Sequence, residues 1–177
     1  MKLKIDIEKS IEKERLYPQS KFSYYFDYLM YSFFALIFLF IIIMSILNES
    51  NLYITPMRIF WISIYIIICS LVFFLLNKMN KLTVLNIKDR TKAKQFIHSL
   101  SNDIDWEIKK EDDEIIIFQI NPKFCNERQV TFIFKTGYIL INVMSFGQDI
   151  ISPLYYFSDK DALESIIIKL NENKITQ

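Results

Sequence analysis

The sequence is poor in the residues that most catalytic and cofactor sites require. It has one histidine, His98, two cysteines and two glycines among 177 residues. One histidine with scattered carboxylates indicates neither a Ser-His-Asp arrangement nor a metal cluster, and we expect His98 to point to solvent. Gly137 and Gly147 are isolated, so no glycine-rich loop is available to bind a phosphate. We therefore expect no enzyme activity, no catalytic residues, no cofactor and no metal site.

The two cysteines do not form a redox or zinc motif. Cys69 lies in an apolar run, whereas Cys125 lies in a polar part of the chain. Their spacing is that of neither a CxxC pair nor a metal site. A disulfide between a thiol in lipid and a thiol in water is not expected.

An excess of charge of one sign is also absent. Lysine and arginine number 21 and aspartate and glutamate 20, which gives a formal net charge of +1. A chain without a positive field has no electrostatic means of attracting DNA or RNA. We therefore expect no nucleic-acid partner.

Two runs of the chain carry no charge at all, namely Tyr28–Leu47 and Ile59–Leu76. As helices that rise about 1.5 Å per residue, each is long enough to cross a hydrocarbon core of about 30 Å. The first run starts well inside the chain and has no small-residue cleavage site, which does not fit a cleavable signal peptide. We predict a transmembrane hairpin with spans at 22–47 and 59–76, joined by a short external loop at 48–58.

Neither run contains a proline, a glycine or a charged residue. Transporters and channels line their paths with polar or discontinuous segments, so we do not expect one such chain to transport a solute. No GxxxG pattern favours pairing of these helices between chains. A homo-oligomer is therefore kept only as an alternative.

Basic residues flank the two runs on both sides, whereas the connecting loop carries only Arg58. Because cytoplasmic flanks are enriched in lysine and arginine, both chain ends are predicted in the cytoplasm. The bias toward Ile, Lys and Asn is typical of an AT-rich bacterial genome. We expect a multi-pass protein of the cell inner (plasma) membrane. Its N-terminal segment, 1–21, either adds to the cytoplasmic domain at 77–177 or lies on the membrane.

The pattern from Asn77 onward is that of an α+β domain. Strands are predicted where apolar residues alternate or form short runs, and helices where they recur every three to four residues. The predicted strands are Leu82–Ile87, Trp106–Lys109, Ile115–Ile120, Val130–Lys135 and Tyr138–Met144; the predicted helices are Arg90–Leu100 and Ser158–Leu170, with Ser158 as the cap of the second. This order predicts an antiparallel sheet of four to five strands with two helices packed on one face.

The best-defined local feature is a hairpin with a Thr136-Gly137 turn. A two-residue turn pairs Lys135 with Tyr138 and brings apolar residues of both strands to one face. The run Ile115–Ile120 is apolar on both faces, which is typical of a strand covered on two sides.

Two features suggest binding. Six basic residues follow the second run and are candidates for lipid contact: Lys78, Lys81, Lys88, Arg90, Lys92 and Lys94. Near an anionic leaflet each is worth about 1 kcal/mol, although the same residues can serve as a topology signal alone. Tyr155 and Tyr156 are candidates for contact with a protein partner if they lie on a loop, and the alternative is a packed strand at Ile150–Tyr156.

These observations predict a membrane-tethered, non-enzymatic binding or regulatory protein whose cytoplasmic domain engages an unknown protein partner at the inner leaflet. One version is an immunity-type protein that blocks a toxin at the membrane. The alternative is a domain that senses anionic lipids through the basic segment, and an enzyme acting on a membrane substrate ranks third. The lipid bilayer is the partner that the apolar runs themselves require.

Overall fold

The fold consists of two long helices joined to an α+β domain. The computed structural model describes residues 5–17, 21–47, 56–103, 106–120, 127–147 and 150–176. The helices are α1 (Ile7–Lys13), α2 (Lys21–Leu47), α3 (Pro56–Met79), α4 (Arg90–Asp103) and α5 (Tyr156–Glu172). The strands are β1 (Thr83–Asn86), β2 (Glu107–Glu111), β3 (Ile115–Ile120), β4 (Glu127–Lys135), β5 (Tyr138–Gly147) and β6 (Ile150–Ile151), and a 3₁₀ turn at Pro153–Tyr155 precedes α5.

The strands form an antiparallel sheet in the order β1-β5-β4-β3-β2, and the short β6 pairs with the end of β5. The α+β class and the antiparallel sheet are as predicted. The hairpin register is confirmed as well, since Lys135 pairs with Tyr138 and Val130 pairs with Val143. Turn chemistry and apolar alternation agree at this hairpin, which is why its register is readable from the sequence.

One face of the sheet is covered by α4 and α5, as predicted. The Phe118 and Phe132 rings meet edge to face there, with centroids 5.9 Å apart. The side chains that the two helices bury against these rings are Ala93, Ile97, Ile166 and Leu170. Burial of each large apolar side chain contributes about 1.5–3 kcal/mol.

The opposite face of the sheet packs on α1 and on the ends of α2 and α3. The buried residues of this second cluster include Leu16, Leu76, Met79, Leu82, Ile117, Ile133 and Leu140. Tyr31 of α2 and Phe73 of α3 pack against the same cluster. The described part of the N-terminal segment therefore adds to the domain, and β3 is covered on both sides as predicted.

The start of the last helix differs from the prediction. Ser158 is not its cap, because α5 begins two residues earlier at Tyr156, directly after the 3₁₀ turn. A strand over Ile150–Tyr156 is also wrong beyond Ile151. Pro153 has no N–H for a ladder and a fixed φ that suits the first position of a helical turn, so the chain turns helical there.

Among the residues that the structure describes, one helix is long and apolar enough to cross a membrane. This helix is Ile59–Met79, with 21 residues and a mean hydropathy of 2.8. Tyr28–Met44, in α2, is a shorter apolar helix among the residues described. Both helices are longer than the predicted spans, since α2 begins at Lys21 and α3 runs from Pro56 to Met79, while the end of α2 at Leu47 is as predicted. Positions 48–55 of the predicted external loop lie outside the described residues.

The turn of the hairpin offers a direct test of backbone conformation. Gly137 has a φ of +82°, and a Cβ at this position would meet nothing within 4 Å. Gly137→Ala should therefore cost about 1 kcal/mol through left-handed strain alone. Gly137→Asn should cost less, because asparagine tolerates this conformation. Thermal unfolding of the detergent-solubilised chain measures both, and equal losses would contradict the explanation.

Candidate functional site

A cleft of about 230 Å³ lies where α3, the connection to β1 and the first turns of α5 meet. Its polar lining includes Lys78, Lys81, Asn142, Asp159 and Lys160. Lys78 belongs to α3, Lys81 to the connection between α3 and β1, and Lys160 to α5. Asn142 belongs to β5 and Asp159 to α5. The cleft thus gathers charged and amide groups at the C-terminal end of α3.

Asn142 joins the sheet to the end of α3. Its Nδ2 donates to the carbonyl oxygens of Met79 at 2.7 Å and Lys81 at 2.9 Å. The residue is 2 % exposed, and its Oδ1 has no hydrogen-bond partner among the described residues. A buried carbonyl that loses its donor costs about 1–3 kcal/mol. The amide therefore holds the connection between α3 and β1 in place.

The N-terminal segment secures the same connection from another direction. Leu16 N donates to the carbonyl oxygen of Asn80 at 2.8 Å. Leu82 N donates to the carbonyl oxygen of Glu14 at 2.9 Å. These two bonds attach residues 80–82, which directly follow α3, to the N-terminal segment. As a result, α3 passes into the sheet without a free linker.

The predicted partner-contact tyrosines lie beside α2 and α3. The carbonyl oxygen of Ile151 accepts a hydrogen bond from the Tyr31 hydroxyl at 2.9 Å, and the 3₁₀ turn contacts α3. Tyr156 packs against the second core cluster and lines the cleft. The residues that this corner exposes most are Leu154, at 88 %, and Phe157, at 68 %.

Sequence reasoning missed Leu154 and Phe157 and selected the two tyrosines between them. The available signal was Pro153, which follows the short apolar stretch Ile150–Ile151 after one serine. A proline there favours a helical turn over a continued strand. In a helical turn successive side chains point in different directions. Leu154 and Phe157 are therefore exposed, although Tyr156 packs against the second core cluster.

The structure divides the six candidate lipid-contact residues. Lys78 and Lys81 line the cleft at the end of α3. Lys88 and Lys92 line a second cleft of about 510 Å³ with Lys174. This second cleft lies at the far end of β1 from the first cleft. The extended chain from Thr83, in the first cleft, to Lys88, in the second, spans about 17 Å.

The other two cations hold the turn after β2. Arg90 donates to the carbonyl oxygen of Asp113, and Lys94 Nζ lies 3.8 Å from the Asp113 carboxylate. Both cations lie over the Phe134 ring, 5.9 Å and 5.4 Å from its centroid. Lipid contact by any of the six residues remains a prediction.

Asp159 is a buried carboxylate at the edge of the cleft. It is 3 % exposed and accepts hydrogen bonds from Ser145 N at 2.8 Å, Ser145 Oγ at 2.6 Å and Arg128 Nε at 3.0 Å. Burial raises the pKa of Asp159, and the bonds from Ser145 and the charge of Arg128 oppose that rise. Sequence reasoning missed this residue, because an aspartate in a first helical turn usually lies in solvent.

The remaining chemically active side chains do not converge. The residues described contain no group of three or more His, Cys, Asp or Glu placed to hold a metal ion. His98 is half-buried and not fully in solvent, with Nε2 2.8 Å from Glu111 Oε1. Cys69 is a free thiol in α3, and Cys125 lies outside the described residues.

No known protein family matches the chain, and neither a curated protein nor a solved structure matches it. What the protein does is therefore inferred from its own residues and contacts.

Removal of the Asp159 carboxylate should destabilise the domain. Asp159→Ala takes the carboxylate acceptor away from the Ser145 N–H, from the Ser145 hydroxyl and from Arg128 Nε, at a cost of about 2–4 kcal/mol. Asp161→Ala, at an exposed position of the same helix, should change stability by less than about 0.5 kcal/mol. Thermal or urea unfolding in detergent measures both variants. Equal stability of the two would contradict a structural role for Asp159.

The same carboxyl should give stability a pH dependence. The folded state binds the Asp159 proton more tightly than the unfolded chain does, because burial raises its pKa. The part of its contribution that depends on pH is therefore fully present below the ordinary pKa of an aspartate and is lost as pH rises through the raised value, while the hydrogen bonds to the carboxylate remain. The difference between wild type and Asp159→Asn should follow this trend in unfolding measured across the acid range. A difference that grows with rising pH would reverse the sign and refute it.

Proposed function

We propose that this chain is a membrane-anchored, non-enzymatic binding protein of the bacterial inner membrane. In this proposal α2 and α3 cross the bilayer as a hairpin, and the α+β domain engages a protein partner at the cytoplasmic surface. The observation that carries the proposal is the contrast between the two parts of the chain. Two adjoining helices leave most of their apolar side chains exposed, while the domain that packs on their ends buries its own.

The exposed surface of α2 and α3 supports contact with lipid. Large side chains such as Phe38, Phe40 and Ile67 are more than half exposed, and 6 % of the apolar window of α3 is buried. A core helix of a water-soluble protein buries such residues, and an extended exposed apolar surface marks a membrane or protein contact. Tyr65 of α3 donates a hydrogen bond to the carbonyl oxygen of Ala35 of α2, which supports the two helices lying side by side.

The shared core supports an even number of crossings. The described N-terminal residues precede α2 and the sheet follows α3, yet both contribute to one buried cluster that includes Leu16, Leu82 and Leu140. Segments that share a core lie on one side of a membrane. If α3 crosses the bilayer, α2 must therefore cross it as well.

The distribution of basic residues supports a cytoplasmic location for that shared side. The segment between the two apolar runs, positions 48–58, carries Arg58 as its sole lysine or arginine, while both flanks are rich in them. Cytoplasmic flanks have this bias in multi-pass proteins. Both chain ends and the α+β domain then face the cytoplasm.

The corner formed by Leu154 and Phe157 supports a protein partner. These two side chains are 88 % and 68 % exposed, and Tyr155 lies between them in sequence. Exposed apolar and aromatic residues on a rigid support are typical of binding hot spots. Tyr156, packed beneath, supports the corner. A partner at the inner leaflet, such as a toxin held by an immunity-type protein, would cover this corner.

A photo-crosslinking amino acid tests the partner proposal in intact cells. Placed at Phe157 of the full chain, it should give a protein adduct of discrete mass, because a partner covers this side chain. Placed at Ile168, an exposed apolar residue further along α5, it should not give that adduct. Leu154→Ser should reduce the Phe157 adduct at least about fivefold, as expected for a hot-spot residue. Adducts with lipid alone at Phe157, or the same protein adducts at both sites, would refute the proposal.

A further inference from the structure

We infer that the cleft at the end of α3 binds the headgroup of an anionic phospholipid of the inner leaflet. This site is separate from the corner that is proposed to contact a protein. The inference rests on the proposed anchoring, since the headgroup must lie at the depth where α3 leaves the bilayer. It is carried by the charge, the depth and the amide of the cleft.

The cleft concentrates positive charge from three elements. Lys78 lies in the last turn of α3, Lys81 in the connection to β1 and Lys160 in the first turns of α5. Within the described part of the chain, neither Lys78 nor Lys81 forms an ion pair. The Lys160 pair with Glu164, at 3.4 Å, lies on the surface and is worth little.

The carboxylate in the lining does not neutralise these lysines. Asp159 is almost wholly buried, and its oxygens accept hydrogen bonds from Ser145 and Arg128. Its charge is thus already shared with the Arg128 guanidinium. The cleft therefore retains a net positive field, which a phosphate diester would satisfy.

The depth of the cleft matches the headgroup layer. Phe74 is exposed on the apolar part of α3, and Lys78 follows one helical turn later, about 6 Å along the axis. The Nζ of Lys78 lies 5.4 Å from the centroid of the Phe74 ring, so this cation sits at the edge of the apolar surface. Lysines in this position bind lipid phosphates within a Debye length of the leaflet.

Asn142 favours a headgroup that carries hydroxyl groups. Its orientation is fixed because Nδ2 donates to two carbonyl oxygens, which leaves Oδ1 as a buried acceptor without a partner among the described residues. A buried acceptor gains from a donor. A phosphoglycerol headgroup supplies both a phosphate for the lysines and hydroxyl donors, whereas phosphocholine has no donor.

Lipid selectivity in nanodiscs tests the inference with a matched control. The full chain is inserted into phosphatidylcholine nanodiscs that contain a minor fraction of spin-labelled phosphatidylglycerol, and the motionally restricted fraction is compared with that of spin-labelled phosphatidylcholine. Each lysine near an anionic surface contributes roughly a fivefold change, so loss of all three should lower relative association about a hundredfold. The variant is Lys78→Gln/Lys81→Gln/Lys160→Gln. The control, Lys88→Gln/Lys92→Gln/Lys174→Gln, removes the same charge from the distal cleft and should retain the preference.

The outcomes separate the site from the anchoring. Equal loss in both triple variants, or no preference for phosphatidylglycerol in an inserted wild-type chain, would overturn the headgroup site alone. A chain that fails to insert would overturn the anchoring and the site together. Displacement of the labelled lipid by soluble glycerol phosphate would show that the cleft binds a free phosphate compound, and would overturn its assignment to a lipid headgroup. The arginine version of the cleft triple keeps the charge, so it should retain the preference if the fold is intact.

Discussion

The sheet needs cover on both of its faces, and this requirement ties the domain to α2 and α3. Strands β3, β4 and β5 are apolar on two sides, and exposure of Ile117, Ile133 or Leu140 to water would cost about 1.5–3 kcal/mol each. The cover comes from α1 and from the ends of the long helices. Asn142 adds two hydrogen bonds at the centre of this contact, so the sheet and α3 form one continuous packed unit.

This packing determines which surfaces lie near the apolar helices. The Leu154–Phe157 corner and the lysine cleft adjoin α3, whereas the hairpin turn and the distal cleft lie at the far end of β1. A domain on a long linker would sample many orientations, and its exposed apolar residues would then have no fixed neighbour. A domain packed on its helices presents one set of groups at one depth. Both proposed interactions depend on that fixed presentation.

Much of the domain was predictable from the sequence because its signals are local. The hairpin, the helix at Arg90 and the doubly apolar strand β3 follow from periodicity and turn residues within short windows. The buried role of Asp159 has no local signature, since its partners Ser145 and Arg128 come from other elements. The six basic residues are neighbours in sequence but not in space, because β1 carries the later ones away from α3. Residues 5–17 cover one face of the sheet through long-range contacts. Periodicity alone could not decide whether this segment joins the domain or lies on the membrane.

The central claim is that α2 and α3 both cross the membrane and hold the two chain ends together on the inner side. Single cysteines on a background with Cys69→Ser and Cys125→Ser test it most directly, by reaction with a membrane-impermeant thiol reagent in intact cells. We predict that Ser50→Cys, between the two helices, reacts from outside. We predict that Glu12→Cys and Glu164→Cys react only after the membrane is opened. Labelling of Glu12→Cys or Glu164→Cys in intact cells, or protection of Ser50→Cys, would contradict the claim.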